Sequence, residues 1–296
     1  MNIFQGIFSI AAIIATIIFA ASCGEVVDRG PMTEQKLTIG ILPDVDSVPF
    51  LIAQEKNFYA DENLTVEIKQ FKSAPERDAA FQTGNLDAVV SDMLAAEFLQ
   101  AGGFDVESLM STDGNYCLLV GNGSDPDAVI GKDIAVSKNT IIEYVTDKIL
   151  EHGGINPNEV NKIIIPQIPV RLEMLSNGKL YAATMPEPMA SIAIANGCTL
   201  IGSANELQIN PGIFLATKKS ADEKKIAFEK LFRAYNRAAE YLNATPKDQY
   251  IDDVIRLAGF PEQSKEALSL PHYREASLPF KKDQDDVKNW LADRHE

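Results

Sequence analysis

Polar residues that could bind a small molecule occur at several points where a predicted strand gives way to a helix. In open α/β sheets, ligands bind beyond the carboxyl ends of the strands, where helix N-termini offer free backbone N–H groups. Hydroxyl, amide and carboxylate side chains at these points add hydrogen bonds to such a site. The candidate ligand-binding residues are Asp44, Asp46, Ser47, Ser73, Ser91, Asp92, Ser137, Asn139, Thr140 and Glu187.

The same residue types also cap helices, so these segments have a structural interpretation as well. Ser73, followed three residues later by Glu76, forms a capping box, and capping is the favoured role there. Two aspartates and a serine within residues 44–47 exceed what one cap requires, so ligand contact and capping both stay open. They stay equally open at 91–92 and at 137–140.

Three charged residues near these turns carry further expectations. Glu187 stands between Pro186 and Pro188, which restrict its backbone, so we expect it to contact the ligand or to bridge the two sides of the site. Arg77 and Arg171 hold matching positions in an internal repeat described below. Either could reach the site, but the favoured expectation is a surface ion pair with a nearby acid.

The sequence has no recognisable catalytic or metal-binding motif. His152, His272 and His295 have no metal-ligand spacing, and no CxxC, HExxH, GxSxG or phosphate-cradling GxxxxGK[ST] motif occurs. We therefore expect no catalytic residues, no metal and no cofactor. Cys117 and Cys198 could form one disulfide, but two buried free thiols are favoured.

Strands and helices alternate at the spacing typical of βαβ units on parallel sheets. Strands are predicted at 37–42, 64–71, 87–91, 116–121, 134–137, 162–166, 180–184 and 212–218. Helices are predicted at 48–59, 74–83, 140–152, 170–176, 189–196, 221–243, 249–258 and 283–292. The pattern predicts an α/β fold.

A weak internal repeat divides this pattern into two similar parts. A Pro-x-Arg segment at 75–77 is followed by a Gly-x-Leu-x-Ala segment at 84–88. Pro-x-Arg at 169–171 is followed, at the same spacing, by Gly-x-Leu-x-Ala at 178–182. Pro is tolerated in the first turn of a helix and Gly ends it, so each half predicts a helix leading into an apolar strand.

The repeat predicts two lobes, and the chain is long enough to build both. We expect residues 37–115 to begin lobe 1, and 116–211 to form lobe 2 with its hinge strands. Residues 212–296 then return to lobe 1 and add C-terminal helices. The strands at 116–121 and 212–218 are the candidate crossings between the lobes.

The N-terminus has the pattern of a bacterial lipoprotein signal. Residues 1–22 contain no charged side chain, and Ala20-Ala21-Ser22 stand directly before Cys23. After cleavage such a cysteine carries the lipid, and residues 23–36 would form a polar tether. The alternative is an uncleaved transmembrane anchor with an incidental cysteine. Both interpretations predict an exported, membrane-tethered protein.

Several of these segments together resemble a known family, the substrate-binding proteins of nitrate, sulfonate, taurine and thiamine-precursor ABC importers. The resemblance extends over the chain after the predicted signal. It rests on residues 46–58, 79–91, 135–144, 168–175, 185–190 and 270–273. It implies a type II periplasmic-binding-protein fold, with two α/β lobes joined by two crossover strands and a ligand cleft between them. Such lobes close on the ligand by hinge motion.

The resemblance also implies a function. The protein would be a non-enzymatic monomer that delivers a small molecule to an ABC permease and ATPase complex, at the periplasmic or cell-surface side of the membrane. A lipoprotein ligand sensor and an exported enzyme on the same fold are the alternatives. A nucleic acid partner is not expected, because the formal net charge of −15 would repel phosphates.

The resemblance does not identify the ligand. Acidic residues near the expected cleft would favour a neutral or cationic heterocycle, resembling a thiamine precursor, or a zwitterion, because unpaired like charges in a closed site are costly. Arg77, Arg171 and Lys138 would reverse this expectation if they faced inward. A sulfonate-like or taurine-like compound therefore stays open.

Overall fold

The computed structural model describes residues 35–294. The predicted signal, Cys23 and the tether as far as residue 34 lie outside the described residues. Within 35–294, no helix combines the length and the apolar character that a membrane span requires. Cys117 and Cys198 are both buried free thiols, as predicted.

The described chain alternates strands with helices through most of its length. Its strands are β1 (Gln35–Ile41), β2 (Leu64–Gln70), β3 (Ala88–Asp92), β4 (Val106–Ser111), β5 (Tyr116–Val120), β6 (Asp133–Val136), β7 (Asn161–Ile164), β8 (Ala182–Pro186), β9 (Thr199–Ser203) and β10 (Gly212–Thr217). Its helices are α1 (Val48–Glu55), α2 (Phe58–Asp61), α3 (Ala74–Gln82), α4 (Met93–Ala101), α5 (Ile141–His152), α6 (Ile168–Ser176), α7 (Met189–Ala195), α8 (Lys218–Glu223), α9 (Lys225–Ala244), α10 (Ile251–Ala258), α11 (Ser264–Ala267) and α12 (Lys281–Asp293).

Two five-stranded sheets with one shared topology organise the two lobes within the described residues. Their strand orders are β2-β1-β3-β10-β4 in lobe 1 and β7-β6-β8-β5-β9 in lobe 2. In both sheets the first three strands are parallel, and the fourth runs antiparallel to its neighbours. The internal repeat thus corresponds to a repeated arrangement of strands, and the predicted two-lobed α/β fold is confirmed.

The chain crosses between the sheets twice, in segments outside regular structure. Residues 112–115 lead from β4 into β5, and residues 204–211 lead from β9 into β10. The strands predicted as crossings are therefore ordinary members of their sheets, and the crossings precede them. The physical reason is that backbone N–H and C=O groups of a strand need hydrogen-bond partners on neighbouring strands. Strands β5 and β10 find these partners within their own sheets, so the passage between the lobes falls to the irregular segments before them.

Four elements had no sequence prediction, namely α4, α11, β4 and β9. β4 and β9 are the edge strands of their sheets, and neither alternates buried and exposed residues regularly. The predicted helix at 48–59 is divided into α1 and α2, because Asn57 has a left-handed backbone with φ of 60°. The tertiary fold thus changed the local pattern mainly at edges and helix ends.

Helices α9 and α10 pack on α1 of lobe 1, whereas α11 packs on α7 of lobe 2. In the centre of lobe 1, the ring of Phe50 on α1 lies 5.0 Å from Phe214 on β10 and 5.0 Å from Tyr235 on α9. Helix α12 packs on α4, and its end also reaches lobe 2, where Trp290 Nε1 donates a hydrogen bond to Asp147 Oδ2 at 3.1 Å. The C-terminal helix α12 therefore contacts both lobes.

Truncation of Phe50 tests the lobe 1 core. Phe50 is completely buried, so Phe50→Ala should cost about 3–5 kcal/mol and lower the melting temperature by roughly 6–20 °C. Leu278, which is 72% exposed, provides the control, because Leu278→Ala should change stability by less than about 0.5 kcal/mol. Thermal unfolding followed by circular dichroism measures both; equal shifts would contradict this packing.

Candidate ligand-binding site

A cavity lies between the lobes, at the carboxyl ends of β1 and β3 in lobe 1 and of β6 and β8 in lobe 2. Lobe 1 contributes Leu42, Asp44, Ala74, Arg77, Val90, Ser91 and Asp92. Lobe 2 contributes Tyr116, Ser137, Thr140, Ile141, Ile142, Pro166, Ile168, Arg171 and Pro186. The cavity volume is about 30 Å³, enough for about two water molecules. The lobes are therefore closed, and a solute larger than a few atoms enters only when they separate.

Arg77, on α3, supplies a positive charge from lobe 1 that is already matched by acids. Its side chain is 2% exposed. Nη1 donates to the Val90 carbonyl at 2.8 Å, and Nε donates to Asp78 Oδ1 at 2.9 Å. Nη2 lies 2.8 Å from the same carboxylate oxygen without being directed at it. Burial opposes its charge, but the carboxylates of Asp78 and Asp92 outweigh burial and raise the pKa of Arg77.

Arg171, on α6, supplies a second positive charge, from lobe 2, and no acid in the part of the chain that the structure describes matches it. The side chain is fully buried, and its Nη1 donates to the Ile165 carbonyl at 2.9 Å. Its Nε and Nη2 have no hydrogen-bond partner among the described residues. Burial alone lowers the pKa of Arg171 to about 9. An unpaired buried cation is costly. A negative group in the cavity would offset this cost.

Two serine hydroxyls extend this set of unsatisfied polar groups. Ser91 ends β3 in lobe 1, and Ser137 follows β6 in lobe 2. Both Oγ atoms are buried, and neither has a hydrogen-bond partner within residues 35–294. Since nearly all buried polar atoms in proteins are satisfied, hydroxyls and guanidinium donors that face one cavity from both lobes indicate a polar ligand.

Helix N-termini add a positive potential at the same place. Helix α4 begins after Asp92, whose Oδ1 accepts from Ala95 N at 2.8 Å. Helix α5 begins after Thr140, whose Oγ1 accepts from Ile142 N at 3.2 Å. Both caps line the cavity, so the positive ends of the two helix dipoles point toward it. Capping and cavity lining, which the sequence left as alternatives, are combined in these two residues.

The carboxylates at the cavity are held in ways that weaken their negative charge. Asp44 Oδ1 accepts from Ser47 N at 3.2 Å and from Ser47 Oγ at 2.8 Å. Burial, reinforced by the nearby Asp46, raises the pKa of Asp44 well above its usual range. Burial also raises the pKa of Asp92 against the opposing effect of Arg77. These two acids therefore offset the positive potential of the cavity less than their number suggests.

Of the ten candidate residues, Asp44, Ser91, Asp92, Ser137 and Thr140 line the cavity. The structure places the others outside its lining.

Ser47 donates to Asp44, and Ser73 caps α3 by accepting from Glu76 N at 3.4 Å. Asn139 is exposed and has a left-handed backbone with φ of 58°.

Glu187 and Asp46 serve contacts between parts of the fold. Glu187 Oε2 accepts from Ser191 N at 3.0 Å, while its carbonyl accepts from Val45 N at 3.1 Å across the lobes. The main chain, rather than the carboxylate, thus bridges the two lobes. Asp46 accepts hydrogen bonds from Thr112 and Tyr116, at the two ends of the segment that leads from lobe 1 to lobe 2.

The expected surface location of the two arginines was wrong, because both are buried at the cavity. The internal repeat carried the relevant signal. Arg77 is the fourth residue of α3 and Arg171 is the fourth residue of α6, and each helix has proline as its second residue. Equivalent helices in equivalent lobes bring equivalent side chains to the shared cleft. Lys138, by contrast, is exposed and does not line the cavity.

The apolar side of the cavity was also missed. Leu42, Ile141, Ile142 and Ile168 contribute to its wall. In the sequence they are indistinguishable from ordinary core residues, because each adjoins a buried strand or helix. Only the packing of one lobe against the other places them at the cavity.

Comparison with known proteins identifies the family. A model of the NMT1-like family matches residues 30–258, which is well over half of the chain. The chain belongs to the NMT1-like family. No curated protein sequence matches it.

Similar solved structures confirm the fold of this NMT1-like protein. The alkanesulfonate-binding protein SsuA from Xanthomonas axonopodis pv. citri bound to MOPS is 19% identical, with a TM-score of 0.72 over 88% of this chain and 91% of that chain. The ligand-binding component of an ABC-type import system from Staphylococcus aureus, with zinc bound, is 12% identical, with a TM-score of 0.74 over 88% and 92%. The periplasmic nitrate-binding protein NrtA from Synechocystis PCC 6803 is 16% identical, with a TM-score of 0.68 over 83% and 74%. The predicted periplasmic-binding-protein fold is thus confirmed, and so is the resemblance to substrate-binding proteins of the nitrate and sulfonate family.

The two arginines should respond differently to removal of their charge in the ligand-free protein. Arg171→Met removes a buried cation without a partner, so the free energy of unfolding should stay equal or rise by up to about 4 kcal/mol. Arg77→Met leaves Asp78 and Asp92 without their cation and should lower it by about 3–5 kcal/mol. Urea unfolding of the two variants measures the contrast. Equal losses in both would show that Arg171 has a counter-charge of its own.

Proposed function

We propose that this NMT1-like protein is an extracytoplasmic, lipid-anchored solute-binding protein that delivers a small organic anion to an ABC importer. The observation that carries the proposal is the buried guanidinium of Arg171, which faces a closed cavity between two lobes without a counter-charge. The protein acts as a monomeric clamp, with one lobe on each side of the ligand.

The cavity supports binding rather than catalysis. Its lining contains no histidine and no cysteine, and the described His152 and His272 are exposed. Neither Ser91 Oγ nor Ser137 Oγ is hydrogen-bonded to a base, whereas a nucleophilic serine needs one within reach. The residues from 35 to 294 also hold no cluster of acids, histidines and cysteines that could bind a metal ion, so a metal cargo fits poorly.

The charge balance supports a ligand with one negative group. Arg77 is matched by the acids beside it, whereas Arg171 is not. The two donors that Arg171 leaves free, Nε and Nη2, form one edge of the guanidinium. That edge is the geometry in which arginine binds the two oxygens of a carboxylate or sulfonate. A cationic heterocycle would be repelled by this charge, so the charge balance supports an anion ahead of the heterocycle that the acidic residues favoured.

The apolar wall supports an organic ligand rather than a bare ion. Leu42, Ile141, Ile142 and Ile168 lie on the cavity together with the polar groups. Ligand sites of this kind are largely apolar, with a few polar groups that fix orientation. A short alkanesulfonate or carboxylate offers both parts, an acidic head for Arg171 and a small apolar body.

Mass spectrometry of the ligand released from gently purified protein tests the proposal most directly. The released compound should carry a single acidic group. Calorimetry with MOPS and with short alkanesulfonates and carboxylates should then show that Arg171→Gln weakens binding by about tenfold to several hundredfold, since a charge-assisted hydrogen bond contributes roughly 1.5–3 kcal/mol. Asn139→Ala, outside the lining, is the matched control and should leave affinity unchanged. Release of a cation, or tighter binding by Arg171→Gln, would refute the anion assignment.

The lipid anchor forms a separate part of the proposal and rests on the sequence around Cys23. Changing Cys23 to Ala should leave uncleaved precursor and abolish labelling by a fatty-acid probe in cells. Cys198→Ala is the control, because Cys198 is buried in lobe 2 and should not affect labelling. Labelling that persists in Cys23→Ala would place the lipid on another residue.

A further inference from the structure

The side chain of Asp46 lies where both crossings between the lobes meet. Its Oδ1 accepts a hydrogen bond from Thr112 Oγ1 at 2.5 Å, and its Oδ2 accepts one from the Tyr116 hydroxyl at 2.8 Å. Thr112 begins the first crossing, and Tyr116 is the first residue after it. Asp46 is only 2% exposed. One carboxylate in lobe 1 therefore holds both ends of the first crossing.

The residue that follows the second crossing lies against the same carboxylate. Gly212, where the chain re-enters lobe 1, lies so close that a Cβ atom there would stand 3.0 Å from Asp46 Oδ1. Gly114, in the middle of the first crossing, lies closer still, and a Cβ atom would overlap Oδ2. The crossings are also joined directly, since Thr112 N donates to the Gly212 carbonyl at 3.1 Å. Glycine at both positions allows this approach of backbone to carboxylate.

The neighbours of Asp46 connect this hinge to the cavity. Asp44, two residues earlier in the same turn, lines the cavity, and so does Tyr116. Val45, between the two aspartates, donates its N–H to the Glu187 carbonyl of lobe 2 at 3.1 Å. A change in the position of Asp46 would therefore move walls of the cavity, although Asp46 itself is not part of them.

We propose that Asp46 is a positioning residue that sets the closed angle between the lobes, and that it controls ligand affinity without touching the ligand. Hinge motion changes backbone angles in a few connecting residues, and here those residues are the ones held by this carboxylate. When the closed state is less populated, apparent affinity falls by the same factor. The inference rests on the proposed function only in taking the inter-lobe cavity as the ligand site.

The environment of Asp46 supports a role inside the fold. Burial raises the pKa of Asp46 to about 6, although the hydrogen bonds from Thr112 and Tyr116 oppose this shift. Both donors are buried hydroxyls, so the position is specific for an acceptor on each side. Asparagine keeps the shape but offers one acceptor in place of two, which makes Asp46→Asn a selective probe.

The experiment compares Asp46→Asn, Thr112→Val and Tyr116→Phe with the wild type by small-angle X-ray scattering, without ligand and with saturating MOPS, and by calorimetry. We expect Asp46→Asn to bind MOPS about tenfold more weakly, as loss of one hydrogen bond to a charged group implies, and to remain less compact at saturation. The two donor variants should change scattering in the same direction. Each is a mild substitution that keeps the protein testable if Asp46→Asn fails to fold.

Asp87→Asn is the matched control. Asp87 also accepts structural hydrogen bonds in lobe 1, from Thr38 N and Ser220 Oγ, but lies away from both crossings. The Asp87→Asn substitution should lower the melting temperature while leaving affinity for MOPS and the scattering profile unchanged.

Two results would overturn the inference. The first is wild-type scattering in the Asp46 variant with weaker binding, which would indicate direct ligand contact. The second is wild-type scattering and wild-type affinity with only a lower melting temperature. If MOPS and the other anions fail to bind the wild type, the proposed function fails instead, and scattering of the ligand-free variants still decides the role of Asp46.

Discussion

A positive charge buried without a partner is the constraint that organises the space between the lobes. Arg171 is held away from water by apolar neighbours and by the closed lobes, and its guanidinium keeps one edge free. Helix N-termini on both sides of the cavity add to the positive potential instead of offsetting it. The desolvation cost of this charge can be relieved by a negative group on a ligand. In the proposed function, an anion between the lobes offsets this desolvation cost and so favours the closed state.

The two lobes share one topology, yet they treat the same arginine position differently. In lobe 1 the acids Asp78 and Asp92 surround Arg77, and the cation is satisfied within the protein. In lobe 2, no acid among the described residues compensates Arg171. A symmetric pair of free arginines would suit a doubly charged ligand, whereas this arrangement leaves one charge to be met. The difference between otherwise repeated lobes is therefore the basis for proposing a ligand with one negative charge.

The cavity and the crossings between the lobes share one short segment of chain. The turn after β1 carries Asp44 into the cavity and, two residues later, Asp46 into the crossings between the lobes. Tyr116 contributes to both places, because it lines the cavity and its hydroxyl donates to Asp46. This sharing gives the fold a direct mechanical link between the angle of the lobes and the shape of the cavity. It also explains why three acidic or hydroxyl residues occur in a turn that needs only one helix cap.

The sequence by itself determined the alternation of strands and helices, the likeness of the two lobes and half of the candidate residues at the cavity. These are local signals, since hydrophobic pattern, Pro and Gly positions and polar residues at strand ends act over a few neighbours. Tertiary structure decided which side of a turn faces the ligand, so that Asp44 lines the cavity and Asp46 serves the hinge. It also decided that Arg171 has no acid beside it. Both outcomes depend on residues far apart in the chain, and only packing brings those residues together or keeps them apart.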